Sequence, residues 1–157
     1  MNNELRLVLD GTIFKFWFSR KGEDDGGYSW TDANIEIENR YFNYQTGAEF
    51  LTFSELDDIN RNLVALLDGE IIEKTILEFI EPDMKIALHP KRDLRDDPKY
   101  VYVKEGFEIE DIAADFIFYF SLGEGYTDQC YTLPLYRSDI KLLTEFLVEK
   151  ITNFCQE

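Results

Sequence analysis

Basic residues are scarce in this chain. Sixteen Lys and Arg stand against thirty-two Asp and Glu, for a formal net charge of −16 on 157 residues. Between Lys21 and Arg61 lie ten carboxylates and one base, Arg40; between Lys104 and Arg137 lie seven carboxylates and no base. Such a chain repels nucleic acid and anionic lipid, so any macromolecular partner is expected to be basic. Acidity also serves solubility, and that plainer reading stands beside the first. Cysteine is equally rare. Cys130 and Cys155 show no CxxC or zinc spacing. A disulfide between them is one option; two reduced, partly buried thiols in a cytoplasmic protein is the expected one. Histidine occurs once, at His89, between Leu88 and Pro90. No nucleophile motif accompanies it, and it reads as a surface residue at the end of a strand. The longest apolar stretch, Ile112 to Leu122, contains Asp115 and is far short of the ~20 residues of a membrane span. The opening Met1-Asn2-Asn3-Glu4 has no basic or apolar leader pattern, so a cytoplasmic location is expected.

These absences leave no catalytic, cofactor or metal site to expect. Gly123-Glu124-Gly125 is the only Gly-x-Gly; it falls between strands and reads as a hairpin turn, not a phosphate cradle. Carboxylate-only cation sites remain open at Glu23, Asp24 and Asp25, or at Asp93, Asp96 and Asp97. Neither cluster has the alternating acid, glycine and terminal Glu of an EF-hand loop, and both read as solvated loops.

What is present is a core. Apolar residues make up 45% of the chain and include thirteen Phe and nine Tyr, too many for a disordered acidic tail. The length fits a single domain, residues 1–157. Most of the apolar pattern has period two. Leu5, Leu7 and Leu9 alternate with polar neighbours, Asp10-Gly11 signals a turn, and Phe14, Phe16 and Phe18 continue the alternation. This predicts a two-residue β-hairpin. Gly22 to Gly27 is a loop by composition. Further strands are predicted around Ile35 and Ile37, near Tyr41 to Tyr44, and at Ile71–Ile80, Met84–Leu88, Tyr100–Val103, Ala113–Leu122 and Asp128–Leu135.

Two segments switch to helical spacing. Leu56, Ile59, Leu63 and Leu66 form one stripe, with a Thr52/Glu55 capping box before it and Gly69 as a stop. Ile140, Leu143, Leu147, Ile151 and Phe154 form the other, with Ser138 as its N-cap. Displaced by 84 residues, Leu51, Ser54, Glu55, Leu56, Ile59 and Leu63 fall on Leu135, Ser138, Asp139, Ile140, Leu143 and Leu147. The reading is an α+β fold: a mainly antiparallel sheet with two helices packed on one face, arranged as two similar strand-then-helix halves.

Several segments resemble those of one family in the same order. Trp30-Thr31-Asp32-Ala33-Asn34 is similar to the aromatic-led Asp-Ala-Asn segment of the WapI-family immunity proteins. Leu51 to Leu67, with Glu55-Leu56, resembles the first helix of that family. Leu77-Glu78-Phe79-Ile80-Glu81-Pro82-Asp83-Met84 resembles its Glu-Pro strand start, and Phe116 to Phe154 its closing hairpin and helix. Ile35 stands where many relatives carry tryptophan, and no Phe-Pro follows Asn153-Phe154. The resemblance implies a protein that binds and neutralises a toxin C-terminal domain, often a nuclease. It implies no catalytic residues. Asp32, Asn34, Glu81 and Pro82 have a structural alternative as turn and extended-chain residues.

Charge and resemblance converge on an acidic binding module. A non-catalytic regulatory or scaffold domain and a carboxylate-dependent hydrolase are the alternatives. In an extended strand, Asp32, Asn34, Glu36 and Glu38 share one face while Ala33, Ile35 and Ile37 take the other. With Glu23, Asp24 and Asp25, and with Tyr28 or Trp30 as an aromatic anchor, that face is the expected partner-binding surface.

Overall fold

The structure, a computed structural model, describes residues 3–19, 29–47, 49–96, 109–122 and 125–154. Among the described residues the strands and α-helices run β1 (Glu4–Leu9), β2 (Thr12–Trp17), β3 (Asn34–Glu38), β4 (Asn43–Gln45), α1 (Phe53–Leu67), β5 (Thr75–Glu78), β6 (Met84–Asp93), β7 (Glu110–Leu122), β8 (Gly125–Tyr136) and α2 (Arg137–Phe154). The expected α+β class is observed. The strands are divided between two antiparallel sheets, β1-β2-β3-β4 and β5-β6-β7-β8, each in chain order and each followed by a helix. Alternation marks the faces of strands but not their neighbours, so it does not reveal this division.

The first hairpin follows from its turn. Asp10 and Gly11 both have positive φ, 41° and 84°, and Leu9 pairs with Thr12. Two left-handed residues match the twist of the flanking strands, and Asp-Gly tolerates that geometry best. The alternating side chains then sort cleanly: Leu7, Phe14, Phe16, Phe18, Ile35 and Ile37 are buried.

α1 is closed at both ends. Thr52 Oγ1 accepts the Glu55 N–H at 3.2 Å, and Glu55 Oε2 accepts the Thr52 N–H at 2.8 Å. At the other end Gly69 (φ 75°) turns left-handed, its N–H donates to Leu66 O, and the Glu70 N–H reaches back to Ala65 O at 2.9 Å. That is a Schellman closure, and Gly69→Ala should destabilise the protein by about 1 kcal/mol in thermal unfolding. An unchanged melting temperature would mean the closure is not formed in solution.

The second helix repeats the first. Phe53 and Arg137, the two helix starts, are 84 residues apart, the displacement at which the apolar stripes align. The expected Ser138 cap is corrected. β8 runs straight into α2, so Ser138 is already helical and Tyr136 precedes the first turn. Asp139 Oδ2 accepts the Tyr136 N–H at 3.1 Å, the role that Glu55 has toward Thr52.

Other boundaries move for physical reasons. β5 is shorter than the apolar run Ile71–Ile80, while β6 continues past Leu88 to Asp93. Pro90 does not end β6, because it falls where the register with β7 shifts, between His89 and Arg92. A bulge is where a strand accepts a residue with no N–H. Cys130 is free and exposed, not partly buried: Tyr131, Leu133 and Leu135 take the core side of β8, which leaves Cys130 outside. Cys155, Gly123-Glu124 and the expected strand Tyr100–Val103 lie outside the described residues.

One apolar core draws on both sheets and both helices. Phe14 of β2 meets Phe116 of β7 edge-on at 6.0 Å, and Tyr44 of β4 meets Phe118 at 5.5 Å. Phe146 of α2 packs against Phe16 and Phe18. The helices lie against each other, α1 also touching β6 and α2 touching β1, β7 and β8. Both sheets thereby keep a second face turned away from the core.

Candidate partner-binding surface

The segments that carry the family resemblance converge on the start of α1. The Thr31 N–H and hydroxyl both donate to Leu51 O, at 3.1 and 2.8 Å, and the Phe53 N–H donates to Ser29 O at 2.8 Å. Trp30, half-buried, is bridged to Thr52. The Trp30–Asn34 segment is therefore laid along the approach to the helix. Glu55 Oε2 also accepts the Thr52 hydroxyl at 3.0 Å, while its Oε1 accepts the Ile80 N–H at 2.6 Å. Ile80 belongs to the Glu-Pro segment, whose Asp83 carbonyl accepts the Tyr119 N–H at 2.9 Å. One buried carboxylate thus ties the start of the first helix to the Glu-Pro turn, while the aromatic-led segment is tied to the same helix start through Leu51, Thr52 and Phe53. Asp32 is likewise held: its N–H donates to Ser19 O at 3.1 Å and its carboxylate accepts the Ser19 hydroxyl at 3.2 Å.

The acidic face is assembled in part. Asn34, Glu36 and Glu38 share the outer face of β3, with Ile35 and Ile37 fully buried behind them. Asp32 precedes the strand and is exposed. Lys15 of β2, opposite Glu36, lies between the two glutamates, its Nζ 3.2 Å from Glu36 and 2.9 Å from Glu38. Hydrogen bonds that Lys15 donates to Glu38 and Glu36 raise its pKa, and Lys15 in turn lowers that of Glu38, so both are charged at neutral pH. Arg6 stands opposite Lys15 on the other side. The face is therefore mixed in sign. The Asn34 Oδ1 is buried with no hydrogen-bond partner among the described residues. Glu23, Asp24, Asp25 and Tyr28 lie outside the described residues, as does Asp97 of the second acidic loop. Asp93 of that loop is engaged by the guanidinium of Arg95, Nε to Oδ2 at 2.8 Å.

The expectation for His89 is corrected. It sits inside β6, not at a strand end, with a side chain only 16% exposed. Its Nε2 lies 3.0 Å from Asp115 Oδ2, and Arg92 grips the same carboxylate with both terminal nitrogens. Burial lowers the His89 pKa, and the Arg92 charge adds to this against the pull of Asp115. Burial pushes Asp115 up, but Arg92 and His89 together hold it below the ordinary carboxylate range. The described partner of His89 is a carboxylate, whereas a general base needs a nucleophile within reach. Both shifts have the same sign for stability. The unfolded chain binds protons that the fold resists, so stability is lost as pH falls below about 6.5 for His89 and below about 4 for Asp115. His89→Gln should flatten the first part of that fall in urea melts at pH 7, 6 and 5; an unchanged slope would assign it to other groups.

Among the described residues no group of three His, Cys, Asp or Glu side chains could hold a metal ion. Among the described residues, too, no helix is long and apolar enough to cross a membrane. The sequence model of the WapI-like immunity protein family matches residues 5–155. The chain belongs to that family. No curated protein matches it. The Glu55–Ile80 hydrogen bond is a joint between the two strand-then-helix halves. Sequence reading could not find that joint, since Glu55 and Ile80 are 25 residues apart.

Proposed function

We propose that this WapI-like immunity protein is an acidic, non-catalytic binding module that neutralises the C-terminal domain of a basic, nuclease-type toxin in the cytoplasm, acting as one domain. The family match over residues 5–155 carries the reading, and the net charge of −16 supplies its physical logic. A nuclease must attract phosphate, so its cleft is basic. An acidic protein is steered to such a cleft, with association faster by roughly 10–10³-fold at low salt. Co-expression with the cognate toxin domain should yield a stoichiometric complex in which nucleic-acid cleavage is abolished. Failure to copurify, with the toxin still active, would refute the reading.

Trp30, Asp32, Glu36 and Glu38 are proposed as part of the steering surface. Lys15 changes how this is tested, because charge reversal would add two cations to a face that already carries Lys15 and Arg6. The double variant Glu36→Gln, Glu38→Gln leaves Lys15 uncompensated and turns one excess negative charge into one excess positive. Association with the toxin domain should slow several-fold at low salt and converge on wild type at high salt. Equal rates at low salt would remove these residues from the surface.

A further inference from the structure

The acidic strand face is short of apolar area at its centre, and another surface supplies it. Residues 68–83 hold six carboxylates and one base, Lys74, around three isoleucines that face water. Through β5 and the two residues after it, Leu77 and Phe79 lie toward the core, and Ile76, Glu78 and Ile80 away from it. Ile76 and Ile80 keep 52% and 49% of their surface exposed, and Ile72, three residues before β5, keeps 83%. Among the described residues β5 is the edge of its sheet, with β6 as its single strand neighbour. On the same outer face, Ala87 lies opposite Ile76 and Lys85 opposite Glu78, and Ile117 follows beyond Lys85. Lys85 is not a free cation, because Glu78 Oε1 lies 2.7 Å from its Nζ.

Edge strands are normally blunted by charges or by shortness. β5 has both, being four residues long with Glu78 at its centre of exposure, so protection would be served equally well by polar side chains at 76 and 80. Isoleucine there adds only apolar area open to water. An apolar centre with a charged rim is the anatomy of a protein interface. The rim selects the partner. Glu70, Glu73 and Glu78 are exposed and Glu81 half-exposed, so two copies meeting edge to edge would oppose carboxylates. Anionic lipid and nucleic acid are repelled in the same way.

We propose that the β5 edge, with Ile72, Ile76 and Ile80 as anchors inside the Glu70, Glu73 and Glu81 rim, is the surface that docks a basic protein presenting an apolar depression. This rests on the immunity reading and identifies the partner as the toxin domain.

The test is binding kinetics of the purified toxin domain against wild type, Ile76→Lys with Ile80→Lys, the milder Ile76→Ser with Ile80→Ser, and Val148→Lys. Val148 is 46% exposed on α2, away from both sheet faces, and serves as the control. Matching thermal melts show that each variant is folded. The lysine pair should weaken binding at least ~100-fold, mainly through faster dissociation, the serine pair at least ~10-fold, and Val148→Lys not at all. Wild-type affinity in a folded lysine variant would overturn the surface while leaving the immunity reading intact. No binding by wild type would overturn both. Sedimentation of the free chain gives a separate check: a wild-type dimer that Ile76→Lys dissolves would make this face a self-interface and overturn the proposal.

Discussion

Phe116→Ala is expected to lower the free energy of unfolding by about 3–5 kcal/mol. Phe116 is 2% exposed near the middle of β7 and meets Phe14 of the other sheet edge-on at 6.0 Å. It also stacks near Phe118, at 6.4 Å. Truncation removes the transfer energy of the ring and leaves a cavity at the contact of two sheets, where neither backbone can move in without breaking a ladder. Ile117 is next in the chain but faces outward and is half-exposed, so Ile117→Ala should cost less than about half as much. Denaturant unfolding of the two variants checks the inside–outside assignment of β7. Equal losses, or a larger one at Ile117, would reverse it.

Glu55→Ala should cost about 2–4 kcal/mol, well beyond the loss of an ordinary helix cap. The cap alone, one reciprocal pair with Thr52, accounts for about 1 kcal/mol of this. The remainder comes from the Ile80 N–H and the Thr52 hydroxyl, which lose their acceptor in a region where Glu55 is only 9% exposed and Thr52 3%. Glu55→Gln tests the chemistry, not only the shape. An amide keeps one acceptor oxygen but points an NH2 at one of the donors now facing the carboxylate, so it too should destabilise clearly. The equivalent change in α2, Asp139→Ala, removes one bond to the Tyr136 N–H and should cost about 1 kcal/mol. If Glu55→Ala were no worse than Asp139→Ala, the joint between the halves would not depend on Glu55.

The parts of the fold that sequence exposes are those decided by neighbours in the chain. Asp10-Gly11 fixes its hairpin because two adjacent residues adopt the left-handed turn. Thr52 and Glu55 fix the start of α1, and Gly69 its end, within one turn. What stays hidden is decided across the chain. The division into two sheets depends on which strands pair, and the extension of β6 depends on β7 accommodating Pro90 at a shifted register. The candidate surface divides in the same way. That Glu36 and Glu38 share a face follows from a period of two, but their neutraliser, Lys15, arrives from a strand 21 residues away. His89 looks terminal until Asp115, 26 residues on, is seen to hold it. Ile76 and Ile80 read as ordinary strand residues, and only the position of β5 at a sheet edge shows that they face water.

The most direct measurement is the association rate of this chain with the cognate toxin domain as a function of ionic strength. Between about 0.01 M and 1 M salt the screening length shrinks from roughly 30 Å to 3 Å, which separates long-range steering from contact. The expected result is a rate that falls by about 10-fold or more as salt rises, with nuclease activity lost in proportion to complex formed. A rate independent of salt, or a complex in which the toxin domain still cleaves nucleic acid, would contradict the reading of this chain as an acidic neutraliser of a basic toxin.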